Sequence, residues 1–349
     1  MPFEYSPLST ERREIRLLDL EPSFDQNGPL ELRIHSTTLD EVSEYTCLSY
    51  VWGEPGPTKA IRLNEQQFLV RQNLFTALLY LRLPDKTRRL WIDAVCINQN
   101  DIRERENQVS IMQHIYQKAT DVIAWTGEAD HPRDKKGVAF LEEIKLQTGY
   151  TQLGFPVGMM SDKADLTPGT LGWLKSVTPF GFVNSPWLDL LAILERPWFS
   201  RIWIVQEVVM GKTVTVWCGH HRIEWFDFLY CALFVLGHVD ILTGIAAPDC
   251  LRYHDLHAHL YFQSDLPLYR LIEAAKKIRC VGQLALRQLL DRHMELVIGD
   301  DLQLWEENFK KHNAGFEVEI WGEMTLDPPD LRLCYSSAGI KPNQIKSGP

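Results

Sequence analysis

The sequence predicts an α/β fold with a parallel sheet flanked by helices. Three observations favour this class: apolar runs of strand length, an amphipathic helix between two of those runs, and the alternation of both kinds of element along most of the chain. Strand, helix and strand in this order pack as a parallel sheet covered on both faces, with right-handed connections.

The first part of the chain reads as strands joined by turns. The runs EIRLLDLEPSF and LELRIHS are predicted as two short strands around the turn at residues 27–29, and they lead into YTCLSYVWGEP (45–55). Next, IRLNEQQFLV is predicted to turn at Asn64 and Glu65. The run NLFTALLYLRL is predicted to be a helix that ends at Pro84, because its leucines recur at helical spacing.

The middle of the chain carries the clearest signals. The apolar run LWIDAVCIN (90–98) is typical of a buried parallel strand. The helix after it is predicted to be capped by Asp101, with Glu104 three residues later as in a capping box. DVIAWTG (121–127) is predicted to be the next strand.

The pattern weakens beyond residue 128. A helix is predicted around KGVAFLEEIKL, and residues 154–170 are predicted to be a loop. In RPWFSRIWIVQEVVMG, Ser200 is placed to cap a helix and Gly211 to end it. TVTVWCG (213–219) is predicted to be a strand, and three helical runs follow from residue 225.

These elements predict the following domain organisation. N-terminal strands lead into a central domain, which is followed by a mainly helical C-terminal region and a loosely held tail. The predicted boundaries are 1–44 for the N-terminal strands, 45–220 for the central domain with an insertion around 128–195, 221–325 for the helical region and 326–349 for the tail.

Composition excludes several classes of protein. The 349 residues carry a net charge of −10 with no long basic run, which argues against nucleic acid as a partner. The charged first residues do not resemble a signal peptide, and no segment has the uninterrupted apolar length of a membrane helix. Seven cysteines without a paired CxxC spacing predict reduced thiols, so we expect a cytoplasmic protein.

Three separated blocks resemble the fungal heterokaryon-incompatibility (HET) domain family. They are YTCLSYVWGEP, LWIDAVCINQNDIRERENQVSIMQHIYQKATDVIAWTG, and RPWFSRIWIVQEV followed by VTVWCG. The resemblance covers roughly residues 14–225. The C-terminal third departs from the family pattern, because the string similar to the family's Asp-Pro-Arg-Asp-Lys lies much earlier, at residues 131–135.

The HET family is in turn similar to TIR domains. That resemblance implies a TIR-like (flavodoxin-like) parallel sheet and suggests an enzyme that cleaves NAD between nicotinamide and ribose. TIR proteins carry Trp-Cys-x-x-Glu after a Ser, and this chain keeps Trp203 and Glu207 at that spacing with Ile204 in place of the Cys. The catalytic carboxylate of NAD-cleaving TIR domains therefore falls on Glu207.

Elementary chemistry makes one carboxylate sufficient for this reaction. Nicotinamide departs as a neutral molecule and needs no general acid, whereas the positive charge that develops on the ribose is stabilised by an ionised carboxylate. Trp203 lies one helical turn before Glu207 and is predicted to form an aromatic wall beside it.

The remaining predicted ligand-binding residues follow two strands. Ligands of open parallel sheets bind outside the carboxyl ends of the strands. Substrate contacts are therefore predicted for the residues at the end of the 45–53 strand, Ser49, Tyr50, Trp52 and Gly53. Asp93 and Asn98, late in or after the next strand, are predicted to line the same crevice.

Other interpretations stay open at this point. Trp52, Asp93 and the pair Trp203 and Glu207 are also compatible with purely structural roles. The histidines of YHDLHAH (253–259) resemble a metal cluster but lack a second group of ligands, so no metal is predicted. Cys47 and Cys96 lie inside strand-like runs, which argues against a nucleophilic role.

Two functions follow from the resemblance. The first is a protein of non-self recognition and programmed cell death that hydrolyses NAD, or a related nucleotide, as its substrate and without a cofactor. The second is a non-catalytic signalling or adaptor module that acts by self-association. Under both, we expect a homo-oligomer on activation and a protein partner in incompatibility signalling.

Overall fold

The computed structural model describes eight stretches of the chain, residues 3–25, 28–53, 55–129, 131–149, 166–179, 184–201, 203–246 and 267–294. Their contacts divide into two compact units. The sheet unit comprises the described residues up to Glu128 together with Arg201–Arg222, and the helical unit comprises the described residues of Ala129–Ser200 and those from Ile223 to Met294. The histidine-rich stretch 253–259 and the predicted tail 326–349 lie outside the described residues.

The sheet is mixed and has nine described strands in the order β5-β4-β2-β1-β6-β3-β7-β8-β9. The strands are β1 Glu14–Leu20, β2 Glu31–Thr38, β3 Thr46–Tyr50, β4 Thr58–Leu63, β5 Gln66–Arg71, β6 Arg88–Trp91, β7 Asp121–Trp125, β8 Val214–Cys218 and β9 His221–Glu224. The predicted α/β class is confirmed, with helices flanking this sheet.

The sheet is parallel at its centre and again between β2 and β4. Strands β6, β3, β7 and β8 pair in parallel, with Tyr50 opposite Trp125 and Trp125 opposite Trp217. Strand β1 is antiparallel to both β2 and β6, and β4 and β5 form a hairpin. The expectation of a parallel sheet therefore holds only for part of the sheet, which is mixed as a whole. Antiparallel strands need only a short turn, such as the one at Asn64 and Glu65, where φ is +46° and +66°.

Four helices belong to the sheet unit: α1 Gln72–Leu81, α2 Asp93–Cys96, α3 Ile102–Lys118 and α7 Ile204–Met210. Asp101 caps α3 as predicted and accepts the N–H groups of Arg103 and Glu104. Glu104 does not complete a capping box. It binds the buried Arg16 of β1 and the N–H of Asn98 instead.

Two local predictions are wrong. Residues 90–98 are not one strand, because β6 ends at Trp91 and the chain turns into α2 at Asp93, whose carboxylate accepts the next N–H group at 2.7 Å. Ser200 does not cap the helix that carries Glu207. Ser200 ends a short 3-10 helix, and α7 starts after Trp203.

The helical unit contains six described helices: α4 Pro132–Thr148, α5 Pro168–Val177, α6 Pro186–Leu194, α8 Trp225–Gly237, α9 Val239–Ala246 and α10 Pro267–Met294. Helix α4 packs on α6, and α8 packs on α10. The helices predicted at 268–278 and 284–297 form one continuous helix as far as the described residues extend, and α5 begins at Pro168 within the predicted loop 154–170. No helix in the described stretches is long and apolar enough to cross a membrane.

Candidate active site

A buried cluster of Ser49, Arg201 and Glu207 lies in the sheet unit. The Ser49 hydroxyl, near the end of β3, donates a hydrogen bond to Glu207 Oε2 on α7. Arg201 Nη1 and Nη2 donate to the two carboxylate oxygens of Glu207 at 3.2 and 3.1 Å. Glu207 is only 3% exposed, so its charge is balanced by a bidentate guanidinium and a hydroxyl rather than by water.

Local sequence explains how these groups meet. Side chains alternate across a strand, so Cys47 and Ser49 lie on the same face of β3. Helices α3 and α7 pack together, and the Cys47 thiol lies 3.9 Å from the Ile115 carbonyl of α3. The main chain of α7 begins with the Glu207 N–H donating to the Trp203 carbonyl at 3.1 Å. The valines around Glu207 are buried or half-buried. Among these apolar neighbours, the Glu207 carboxylate is directed toward β3, where it accepts the Ser49 hydroxyl.

Asp93 forms a second polar centre with Trp52. Trp52 Nε1 donates to Asp93 Oδ2 at 2.9 Å, and the Ala94 N–H donates to Asp93 Oδ1 at 2.7 Å. Burial, and next the negative charge of Glu207, raise the pKa of Asp93 from 3.8 to about 6. The two carboxylates are therefore close enough for the charge of one to affect the protonation of the other.

Tyr50 belongs to the same surroundings. Its phenol is buried, and burial followed by the charge of Asp93 raises the pKa of Tyr50 well above its ordinary value. The guanidinium groups of Arg201 and Arg71 act in the opposite direction on that pKa. Tyr50 is thus a neutral donor at any physiological pH, placed among two cations and a carboxylate.

A cavity of about 320 Å³ opens beside Trp52. It is lined by Trp52, Gly53, Gly56, Pro57, Arg71, Gln72, Asn73, Thr76 and Glu128. Gly53 has a φ of +76°, a backbone conformation that favours glycine. Glu207 does not line this cavity. Trp52 joins the two regions, because its ring lines the cavity and its N–H binds Asp93.

The structure brings most of the predicted residues into this region of the sheet unit. Ser49 and Glu207 are bonded to each other, and Trp52 is bonded to Asp93. Asn98 instead accepts the N–H of Asn100 beside the start of α3. The Trp203 side chain is 44% exposed, so its environment differs from that of the buried Glu207. Roles for all of these residues stay predictions.

Sequence reasoning missed Arg201, Arg71 and Asn73. Arg201 stands six residues before Glu207, and a carboxylate flanked by valines needs a partner, so a search for the nearest cation would have found it. Asn73 accepts the Trp125 indole N–H at 2.9 Å and donates to the Val51 carbonyl at 2.6 Å. No local signal marks Arg71 or Asn73, because their partners come from distant strands.

Within the described residues, no group of three or more His, Cys, Asp or Glu side chains is placed to hold a metal ion. The four cysteines whose side chains are described, Cys47, Cys96, Cys218 and Cys231, are buried thiols. Burial raises the pKa of the Cys96 and Cys231 thiols to about 12, which keeps them protonated and unreactive.

Residues 45–207 match the family described as Heterokaryon incompatibility protein (HET). The chain is also 28% identical over 265 residues to "Heterokaryon incompatibility protein 6, OR allele" of Neurospora crassa. That alignment covers 70% of this chain and 38% of the Neurospora protein, so the match spans well under half of the relative. No solved structure shows significant similarity to the chain.

Proposed function

We propose that this protein, whose residues 45–207 match the heterokaryon-incompatibility family, acts in fungal non-self recognition that ends in programmed cell death. The domain match and the name of the Neurospora relative support this role. We further propose that the sheet unit does so by hydrolysing NAD to nicotinamide and ADP-ribose, with Glu207 as the catalytic carboxylate.

The proposed reaction breaks the bond between ribose C1′ and the nicotinamide nitrogen. The bonding electron pair leaves with nicotinamide, which becomes neutral, and the ribose develops positive charge. A carboxylate stabilises that charge until water adds to C1′ and releases a proton. Glu207 supplies the carboxylate, and Asp93 adds a second negative group in the fraction of molecules in which it is ionised.

The observation that carries the proposal is the hydrogen bond between Glu207 and Ser49. It joins the carboxylate of α7 to the end of β3, in the parallel part of the sheet, where ligands of α/β proteins bind. A carboxylate buried among valines at that edge requires a partner or a function. Arg201 is its partner here, and in the proposed reaction Arg201 yields one oxygen of Glu207 to the ribose.

The cellular test compares wild type with Glu207→Gln. We expect wild-type expression in fungal cells to deplete NAD and to kill the cells, and Glu207→Gln to do neither. Glu31→Gln is the matched control, because Glu31 lies in the same unit but forms an exposed pair with Arg62. Death in cells that express Glu207→Gln, with NAD intact, would overturn hydrolysis as the mechanism.

A second candidate is the non-catalytic adaptor that acts by self-association. The exposed indole of Trp203 favours it, because large aromatic side chains on a surface often serve as contacts between proteins. Under this function, Trp203→Ala abolishes self-association and cell death, whereas Glu207→Gln changes neither. Sedimentation of the two variants, measured together with cell viability, separates the candidates.

A further inference from the structure

The cavity beside Trp52 has the chemistry of a nucleotide site. We propose that it binds the diphosphate and ribose of a nucleoside diphosphate, with Arg71 as the cation for the diphosphate. The identification of this group as part of NAD rests on the proposed function. The binding site itself rests on the contacts that follow.

The guanidinium of Arg71 is held in place by contacts that use only part of its hydrogen-bonding capacity. It donates one hydrogen bond to the Gly53 carbonyl and lies 5.8 Å from the centre of the Trp52 ring. Among the described residues, no carboxylate lies within ion-pair distance of Arg71. A guanidinium has five N–H donors in a planar fork that matches phosphate oxygens, so Arg71 is preorganised for an anion.

The wall of the cavity suits a nucleotide better than a free anion. Glu128 also lines it, and carboxylates at such sites accept hydrogen bonds from ribose hydroxyls. Trp52 offers an aromatic surface, and Gly53 and Gly56 let a ligand approach the backbone. The volume of about 320 Å³ lies at the lower end for small-molecule sites, which fits part of a dinucleotide rather than the whole.

Asn73 holds this wall against the sheet. Its amide N–H donates to the Val51 carbonyl after β3, and its amide oxygen accepts the Trp125 indole N–H at the end of β7. These bonds fix the start of α1, which has no acidic residue in its first turn. The first N–H groups of α1 thus add positive potential to that of Arg71, although the Arg71 guanidinium and the cavity carry the inference.

The cavity is adjacent to the candidate catalytic residues through Trp52. Trp52 lines the cavity with its ring and binds Asp93 with its N–H, and Arg71 affects the pKa of Tyr50. A diphosphate bound by Arg71 therefore lies beside the centre that contains Asp93. The cavity thus supplies a binding site for the part of the nucleotide that does not react.

The test is calorimetric binding of ADP, adenosine and inorganic pyrophosphate to the purified full chain. We expect ADP to bind at least tenfold more tightly than either adenosine or pyrophosphate. We expect Arg71→Gln to weaken ADP binding at least tenfold and to leave adenosine binding unchanged. Arg71→Lys should recover part of the loss, because it restores the charge but not the planar fork.

Arg62→Gln is the matched control, since Arg62 lies on the neighbouring β4 and pairs with Glu31 at the surface. It should bind ADP like wild type. Equal affinity of wild type and folded Arg71→Gln for ADP would overturn the proposal, as would pyrophosphate binding as tightly as ADP. Because ADP has no nicotinamide, its binding can succeed even where NAD hydrolysis fails, so the two proposals are tested separately.

Discussion

Arg201 and Glu207 form the most consequential side-chain contact of the sheet unit. The carboxylate is almost fully buried and the guanidinium is mostly buried. A buried ion pair brings little net stability compared with an apolar pair, but removal of one partner leaves an uncompensated charge. The pair therefore explains how a charged group can reside among the valines of α7.

Arg201→Gln is expected to lower the free energy of unfolding by about 3 to 5 kcal/mol, because Glu207 then stays buried without its cation. Urea denaturation measures the change. Arg62→Gln, at an exposed pair, should cost at most about 1 kcal/mol. Equal costs for the two substitutions would contradict a buried, charge-balancing role for Arg201.

The raised pKa of Asp93 predicts that the stability of the protein depends on pH. Its pKa is about 6 in the folded protein against an ordinary 3.8, so the folded state binds the proton more tightly. The stability that protonation provides is complete below about pH 4 and is lost as the pH rises through 6. Asp93→Asn abolishes this titration.

The stability advantage of wild type over Asp93→Asn, measured as the difference between their free energies of unfolding, should therefore decrease with rising pH. We expect a decrease of about 1 to 3 kcal/mol between pH 4 and pH 7. Denaturant titrations at four pH values measure the difference. A difference that does not vary with pH would show that Asp93 titrates normally in the folded protein.

At the scale of elements, residue type correctly predicted the caps and turns that depend only on neighbouring residues in the sequence. The cap at Asp101 and the turn at Asn64 and Glu65 follow from residue type, and both are confirmed. The strand predicted over 90–98 failed because apolar content alone does not distinguish a strand from a short buried helix. The turn into α2 depends on the carboxylate of Asp93 and its bond to the distant Trp52.

Two glycines in the helical unit give opposite predictions. A Cβ at Gly137 of α4 would lie 2.4 Å from the Asp189 carbonyl oxygen of α6, whereas a Cβ at Gly172 of α5 would meet no atom within 4 Å. Gly137→Ala is expected to destabilise by about 1 to 3 kcal/mol through overpacking. Gly172→Ala should stabilise by up to about 1 kcal/mol through helix propensity.

Thermal unfolding of both variants measures these changes. The close approach of α4 and α6 is the physical reason for a glycine inside a helix at position 137. A Gly137→Ala variant as stable as wild type would contradict that close packing.

At the scale of the whole molecule, the sequence predicted the class of fold but not the order of its strands. Ser49 and Glu207 are 158 residues apart in sequence and meet only because β3 lies at the centre of the sheet. Family resemblance indicated both residues, whereas no local pattern could indicate Arg71. Its contacts with Gly53 and Trp52 depend on the position of the β4–β5 hairpin.

The central claim is that Glu207 is the carboxylate of a NAD-hydrolysing site, and release of nicotinamide by the purified protein tests it most directly. The assay is run on wild type, Glu207→Gln and the surface control Glu31→Gln, over a range of protein concentrations that allows assembly. The account predicts release by wild type and by Glu31→Gln, and at least a hundredfold loss in folded Glu207→Gln. Equal release by wild type and Glu207→Gln, or none from wild type at any concentration, would contradict it.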